Sequence, residues 1–93
     1  MTKYQLLFII NNDLEESKKD ALTDKISALI ESLGGVNAEV NKWGTKAYAY
    51  PIEHKKEGYY VLINFEATAT APLEIDRQMR NNENIVRHMI TLA

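Results

Sequence analysis

The segment YQLLFII, residues 4–10, carries the clearest structural signal of the chain. It is apolar at nearly every position and rich in residues that favour strands, which is typical of a strand buried at the centre of a sheet. A second segment of the same kind, YYVLINF, covers residues 59–65. These two segments predict a fold built around a sheet with two buried strands.

The segment after the first strand has helical spacing. Asn11-Asn12-Asp13 breaks the strand and offers helix-capping side chains. Apolar residues then recur at intervals of three and four, which places them on one stripe of a helix. These residues are Leu22, Ile26, Leu29, Ile30 and Leu33. Gly34-Gly35 ends the predicted helix, because glycine tolerates the left-handed conformation of a helix end.

A second, shorter helix is predicted after the second buried strand. Pro72 is well placed as its first residue, with Thr70 or Ala71 before it. Ile75 and Met79 face inward, and Asn81-Asn82 closes the helix. Residues 85–92 then form the last strand.

Between the first helix and the second buried strand, Val36, Ala38 and Val40 alternate with polar residues, which predicts a half-buried strand. Trp43-Gly44 interrupts the alternation and suggests a bulge or bend, since a strand-like run resumes at residues 47–50. Pro51 is expected to stop the ladder. Residues 53–58 are expected to form a charged hairpin loop.

The predicted order is β-α-β-β-α-β in 93 residues, which fits a single domain over residues 1–93. This order is that of the ferredoxin-like split βαβ fold, of class α+β. Right-handed crossovers place the first and third strands at the centre of a four-stranded antiparallel sheet. Both helices then lie on one face of that sheet.

Alternation along the strands divides their side chains between the two faces. The larger sets belong under the helices, namely Tyr4, Leu6, Phe8 and Ile10, then Tyr59, Val61, Ile63 and Phe65, then Val86, His88, Ile90 and Leu92. The uncovered face receives Leu7, Ile9, Tyr60, Leu62 and Met89. An exposed apolar patch of this kind favours a partner surface. Loops or the long second strand could instead cover it, or the surface could simply tolerate apolar groups.

Composition excludes several classes of function. The chain has no cysteine, so disulfides, thiol catalysis and cysteine-ligated metals are excluded. The net charge of −2 argues against binding driven by phosphate contacts alone, but the charges are segregated. Residues 13–24 carry five acids against two lysines, whereas residues 77–88 carry three arginines and a histidine against one acid. The chain shows neither a signal peptide nor a membrane span, and we expect a cytoplasmic protein.

Signals for catalysis are weak, and no cofactor or metal is predicted. Neither His54 nor His88 has a nucleophile at motif spacing. The serines all fall on the first helix, which gives no support to a serine triad. The carboxylates on that helix have lysine neighbours at i,i+4 and are explained as a solvated face. We therefore predict a protein that is not an enzyme.

RNA-recognition motifs and acylphosphatases share this topology. An RNA-recognition motif begins its third strand with a basic residue, glycine and aromatics. Here the sequence is Glu57-Gly58-Tyr59-Tyr60-Val61, which is acidic at the start and aliphatic at the third aromatic position. An acylphosphatase needs an arginine-bearing loop after the first strand, and residues 11–14 contain none. A ferredoxin-like regulatory domain or an acylphosphatase-like enzyme remains the alternative.

Four stretches carry a resemblance to a known family. They are KYQ at residues 3–5, WGTKAYAYPI at 43–52, GYYVLINFE at 58–66 and ENIVRHMI at 83–90. In this order and spacing the chain resembles the bacterial small-subunit (30S) ribosomal protein of the S-six family. It departs from the family pattern at Thr2 and at Thr45, where basic residues are usual.

The resemblance implies a structural constituent of the cytoplasmic ribosome with the same fold. It implies binding to the central domain of small-subunit ribosomal RNA, cooperatively with the small basic ribosomal protein of the S-eighteen family. The expected RNA-binding residues are Lys3, Lys46, Arg80, Asn84, Arg87 and His88. The apolar set on the uncovered face would then meet the protein partner.

Overall fold

The structure, a computed structural model, describes residues 1–52 and 55–93, with side chains for residues 1–46 and 57–93. Its elements are β1 (Thr2–Asn11), α1 (Glu16–Ser32), β2 (Val36–Ile52), β3 (Lys55–Ala67), α2 (Ala71–Arg80) and β4 (Ile85–Leu92). The strand order is β2-β3-β1-β4, and every neighbouring pair is antiparallel. The predicted ferredoxin-like topology is confirmed, with β1 and β3 at the centre.

The core lies between the sheet and the two helices. Leu6, Phe8 and Ile10 of β1 are fully buried, as are Val61 and Ile63 of β3. They form one cluster with Leu22, Ile26 and Ile30 of α1 and with Ile75 and Met79 of α2. Because these strand residues alternate along the chain, both helices cover the same face, as the sequence predicted.

Each helix ends where its sequence predicts. At the end of α1 the Gly34 N–H donates to the carbonyl of Glu31, and the Gly35 N–H donates to that of Ile30. Gly34 has a φ of +85°, so this end is a Schellman motif that needs a glycine. Helix α2 begins directly after its N-cap residue Thr70, has Pro72 in its first turn, and ends before the C-cap residue Asn81.

The prediction that Asn11-Asn12-Asp13 caps α1 is wrong. The cap residue is Glu15, and its side chain makes no capping hydrogen bond. Asn11 Oδ1 instead accepts the backbone N–H of Asp13 at 3.0 Å, which stabilises the turn after β1. The sequence signal was that of an Asx turn, which uses the same residue types as a helix cap.

The hairpin between β2 and β3 is tighter than predicted. Strand β2 continues past Pro51 to Ile52, which pairs with Lys55 at the start of β3. Only residues 53 and 54, with the histidine at position 54, separate the two strands, and they lie outside the described residues. Strand β2 is an edge strand, and an edge tolerates proline because one of its sides has no ladder to interrupt.

The predicted irregularity at Trp43-Gly44 is confirmed as a bulge. The pairing of β2 with β3 shifts between Lys42, which pairs with Val61, and Gly44, which pairs with Tyr60. Trp43 is therefore the extra residue of the bulged strand. Gly44 has a φ of +83°, a conformation that favours glycine.

A second bulge corrects the prediction for β4. The pairing of β1 with β4 shifts between Ile9, opposite Arg87, and Ile10, opposite Ile85. The shift brings Ile85 to the core together with Ile90. Leu92, expected under the helices, is 71% exposed at the end of the strand. A bulge changes the side-chain alternation, so simple period-two counting fails across it.

One row of paired residues is tied to both helices. It runs across the helix-covered face from Lys42 through Val61 and Phe8 to His88. At one end Lys42 Nζ lies 2.9 Å from Asp20 Oδ1 of α1. At the other end His88 Nε2 lies 2.5 Å from Asp76 Oδ1 of α2. Each helix is thus joined to the edge strand beneath it.

Candidate functional site

The side of the sheet away from the helices, here called the open face, carries two apolar rows. The strand register aligns Asn41, Leu62, Leu7 and Met89 in one row. The next row contains Gly44, Tyr60, Ile9 and Arg87. The register therefore places on one face all the residues predicted for it, Leu7, Ile9, Tyr60, Leu62 and Met89.

Accessibility varies across these two rows. Met89, on the edge strand β4, is 59% exposed. Leu7, Tyr60 and Leu62 are half-buried, because neighbouring strands shield them from the side. Ile9 is only 8% exposed, so it packs beneath its neighbours and offers little accessible area on this face. The result is a shallow apolar surface and not a deep cleft.

Trp43 extends the open face at the bulge and was missed by the sequence analysis. Its ring is stacked on that of Tyr60, with centroids 6.4 Å apart and an interplanar angle of 11°. Lys46 Nζ lies 5.0 Å from the centroid of the Trp43 ring, a cation–π geometry. Trp43 is nevertheless 46% exposed. We call these three residues the aromatic corner of the open face.

Polar residues border the apolar rows on the side away from the bulge. The next row contains Glu39, Asn64, Gln5 and Thr91. Beyond it Lys3 pairs with Glu66, whose carboxylate accepts a hydrogen bond from the Asn37 side chain. An apolar centre with a polar border is the usual composition of a protein-binding surface.

The basic residues expected to bind RNA do not form one patch. Arg87 lies on the open face opposite Ile9, and Lys46 lies at the aromatic corner. Lys3 is exposed near the other end of β1. Arg80 belongs to α2, and His88 faces α2, so both lie on the helix-covered side of the sheet. The sheet thus separates Arg80 from Arg87.

Arg80 and His88 meet at one carboxylate, that of Asp76. Arg80 Nη2 lies 2.9 Å from Asp76 Oδ2, and His88 Nε2 donates to Asp76 Oδ1 at 2.5 Å. The hydrogen bond from His88 and the charge of Arg80 hold the pKa of Asp76 below its usual range. His88 is mostly covered, at 16% side-chain exposure, whereas Arg80 extends into solvent.

Asn84 precedes β4 and has a backbone role. Its carbonyl accepts the backbone N–H of Asn11 at 2.9 Å, and its own N–H donates to Asn82 Oδ1 at 3.0 Å. These bonds fix the approach to β4 beside the end of β1.

A second ion pair on α2 neutralises the charge of another arginine of this helix. Arg77 Nη2 lies 2.5 Å from Glu74 Oε1. The hydrogen bond from Arg77, aided by one from Gln78, lowers the pKa of Glu74 to about 2. By contrast, Arg87 forms no ion pair within the described part of the chain. Arg87 is therefore the better placed of these arginines for an external anion.

The described part of the chain lacks the features of a metal site and of a membrane-spanning helix. Within residues 1–52 and 55–93 there is no cluster of three or more histidines and carboxylates that could hold a metal. No helix in that part of the chain is long and apolar enough to cross a membrane. An open depression of about 490 Å³ separates α1 from the end of α2. It is lined by Leu22, Lys25, Ile26, Leu29, Gln78, Asn81, Asn82, Glu83 and Asn84, which include no nucleophile with a neighbouring base.

Fold and surface together define a small α+β protein with one sheet face left free by its helices. The sequence model described as Ribosomal protein S6 matches residues 3–91, so the chain belongs to the ribosomal protein S6 family. The chain is 39% identical, over all 93 residues and the full length of both chains, to the small ribosomal subunit protein bS6 of Clostridioides difficile. It is 42% identical to bS6 of Desulforamulus reducens over 90 residues, which are 97% of this chain and 95% of that one.

A solved structure agrees with this assignment. The crystal structure of 30S ribosomal protein S6 from Thermotoga maritima matches with a TM-score of 0.94 at 25% identity. The match covers 99% of this chain and 87% of that chain. The chain is therefore a structural protein of the small ribosomal subunit in the bacterial cytoplasm, and the prediction that it is not an enzyme is confirmed by its family.

Proposed function

We propose that the chain binds the central domain of small-subunit ribosomal RNA cooperatively with the ribosomal protein of the S-eighteen family. The open face docks the protein partner. Arg87 and Lys46, at the basic margin of that face, contact RNA next to the partner. Lys3, Arg80, Asn84 and His88 are further candidates, of which Arg80 and His88 would face a different segment of RNA.

The observation that carries this proposal is the open face itself. Leu7, Tyr60 and Leu62 are half-buried there, and Met89 and Trp43 are largely exposed. Apolar groups concentrated on one face of a small protein mark a surface that a partner covers. The helices do not provide that cover, because both pack on the opposite face.

Charge supports a cooperative mode of RNA binding. The net charge is −2, and the arginines of α2 are already paired with Glu74 and Asp76. A chain with a net negative charge gains little from counterion release on its own. A basic partner on the open face would add positive charge beside Arg87 and Lys46.

The enzymatic alternative gains no support from the site. The turn after β1, where an acylphosphatase carries its arginine, consists of Asn11, Asn12 and Asp13. Asn12 Oδ1 there accepts hydrogen bonds from within the chain, from Lys19 and Thr45. The turn is thus occupied by structural contacts.

Cosedimentation with small ribosomal subunits tests the proposal. Subunits depleted of the endogenous protein are mixed with the chain and with the S-eighteen family protein, and then pelleted. Two matched variants replace exposed apolar residues by lysine, Met89→Lys on the open face and Leu73→Lys on α2. We expect the wild type and Leu73→Lys to pellet with the subunits and Met89→Lys to be depleted from the pellet. Equal recovery of both variants would show that the open face is not needed for binding to the subunit.

A further inference from the structure

Polar contacts to the β1–α1 turn and to α1 hold the bulge that carries Trp43 from the helix-covered side of the sheet. Thr45, two residues after Trp43, pairs with Tyr59 and therefore faces the helices. Its Oγ1 donates to Asn12 Oδ1 at 2.9 Å. These residues are far apart in the sequence, so the contact joins the β1–α1 turn to the bulged strand.

The same oxygen of Asn12 accepts a second donor. Lys19 Nζ of α1 donates to Asn12 Oδ1 at 2.9 Å. Lys19 is 8% exposed, and its Nζ lies 5.1 Å from the centroid of the Tyr59 ring. Asn12 therefore accepts a hydrogen bond from the ammonium group of a largely buried lysine while it holds Thr45. Removing an acceptor from a buried charge is costly, so the position of Asn12 is well determined.

An ion pair holds the other side of the bulge. Lys42, immediately before Trp43, pairs with Asp20 of α1 through Nζ and Oδ1 at 2.9 Å. The hydrogen bond that Lys42 donates to Asp20 raises the pKa of Lys42, so the amine is charged at neutral pH. Lys42 and Thr45 thus tie both flanks of the bulge to the helix layer.

The bulge is otherwise held by its pairing with β3 and by the stack of Trp43 on Tyr60. It lies on the edge strand, and the space where a Cβ of Gly44 would lie contains no heavy atom within 4 Å. A bulged edge strand with an unsupported glycine can change its twist at small cost. The contacts behind the sheet therefore have a large share in setting the direction of the side chains in front of it.

We infer that Asn12 is a positioning residue for the aromatic corner, because its Oδ1, held by Lys19, fixes Thr45 and with it the orientation of Trp43 and Lys46 on the opposite face. That this orientation serves partner binding rests on the function proposed above. The arrangement makes docking on the open face depend on a group on the other side of the sheet.

The first part of the test needs no partner. Trp43 is the only tryptophan, so the anisotropy and acrylamide quenching of its emission report the aromatic corner alone. Asn12→Leu removes the acceptor, whereas Asn12→Asp keeps an oxygen in the same place. Thr45→Val removes the hydroxyl with little change of shape, and Thr45→Ser keeps it. We expect lower anisotropy and stronger quenching in Asn12→Leu and Thr45→Val, and near wild-type values in Asn12→Asp and Thr45→Ser.

The second part measures affinity for the purified S-eighteen family protein. Because a loosened Trp43 must be ordered again on binding, we expect about tenfold weaker binding for Asn12→Leu, with Asn12→Asp within about twofold of wild type. Ile75→Val under α2 is the control for general destabilisation. Unchanged Trp43 emission in both Asn12→Leu and Thr45→Val, or equal loosening in Ile75→Val, would overturn the inference. Loosened Trp43 in a chain whose wild type does not bind the partner would support the inference and contradict the proposed function instead.

Discussion

The rings of Trp43 and Tyr60 are stacked on the open face, with centroids 6.4 Å apart and planes 11° from parallel. At the bulge Trp43 and Gly44 together oppose the single residue Tyr60. Lys42, one residue earlier, faces the helices, so alternation directs Trp43 to the open face, and the extra residue then returns Thr45 to the helix side. The bulge thus places Trp43 and Thr45, which are two residues apart in the sequence, on opposite faces of the sheet.

Replacing Trp43 by alanine should weaken binding of the S-eighteen family protein while the chain stays folded. An exposed tryptophan seated on a second ring is typical of an interface hot spot, where truncation costs about 2 kcal/mol or more, roughly thirtyfold in affinity. Isothermal titration with the purified partner measures the loss. Trp43→Phe retains a ring and should lose less; equal losses would show that stacking is not what the partner uses.

Leu6→Ala and Leu7→Ala should destabilise the chain by different amounts, although the two residues are adjacent. Leu6 is fully buried under the helices, whereas Leu7 is half-buried on the open face. We expect a loss of about 3–4 kcal/mol in unfolding free energy for Leu6→Ala and of about 1–2 kcal/mol for Leu7→Ala. Urea denaturation measures both values.

In a binding experiment the order should reverse, and Leu7→Ala should have the larger effect. Leu7→Ala should weaken the partner complex, and Leu6→Ala should leave it near wild type under conditions where the variant is folded. If Leu6→Ala were the milder change in urea, the assignment of the two faces would be wrong.

Arg87→Glu should weaken the complex with ribosomal RNA and flatten its salt dependence. Loss of one phosphate contact lowers the slope of log K against log salt by about one unit. Filter binding over a range of potassium chloride concentrations, with the partner present, measures the slope. Arg77→Glu changes the net charge equally, but Arg77 is paired with Glu74 on α2. A slope that falls equally in both variants would indicate a general charge effect and not a contact at Arg87.

Asp76→Asn should destabilise the chain at neutral pH and should have little effect on stability in strong acid. His88 and Arg80 hold the folded-state pKa of Asp76 below the ordinary value of 3.8, so folding favours the carboxylate. This stabilisation is fully present above the unfolded pKa and is lost as the pH falls through the lower folded pKa. Thermal unfolding of wild type and variant across this range should converge in acid.

Asp24→Asn, at an exposed position of α1, is the control for this acid dependence. Its unfolding is followed over the same pH range, and a pH dependence equal to that of Asp76→Asn would indicate a general charge effect. A difference for Asp76→Asn that grew as the pH fell would contradict the assigned direction.

The strands and the two faces of the sheet could be predicted from sequence because they depend on local alternation. The period-two pattern of residues 4–10 and 59–65 separated Leu6 from Leu7 and Val61 from Leu62, and the register confirmed it. The helix ends at Gly34 and Asn81 were likewise marked by residues with local conformational preferences. The second bulge, in β4, had no marker residue, so Val86 was assigned to the helix-covered face at the point where the register places Ile85.

Contacts between distant segments could not be predicted. Nothing local to Asn12 shows that its side chain accepts from Thr45, and the Asn-Asn-Asp run was interpreted as a helix cap instead. The distribution of the basic residues depends on the same information. Arg80 and Arg87 are near in sequence, but α2 and β4 place them on different sides of the sheet.

Binding of the chain to a central-domain fragment of small-subunit ribosomal RNA, with and without the S-eighteen family protein, tests the central claim most directly. At fixed salt we expect weak binding by the chain alone and at least about tenfold tighter binding with the partner, a coupling of about 1.4 kcal/mol. By linkage the chain should tighten partner binding by the same factor. Equally tight RNA binding without the partner, or no binding in either case, would contradict the account.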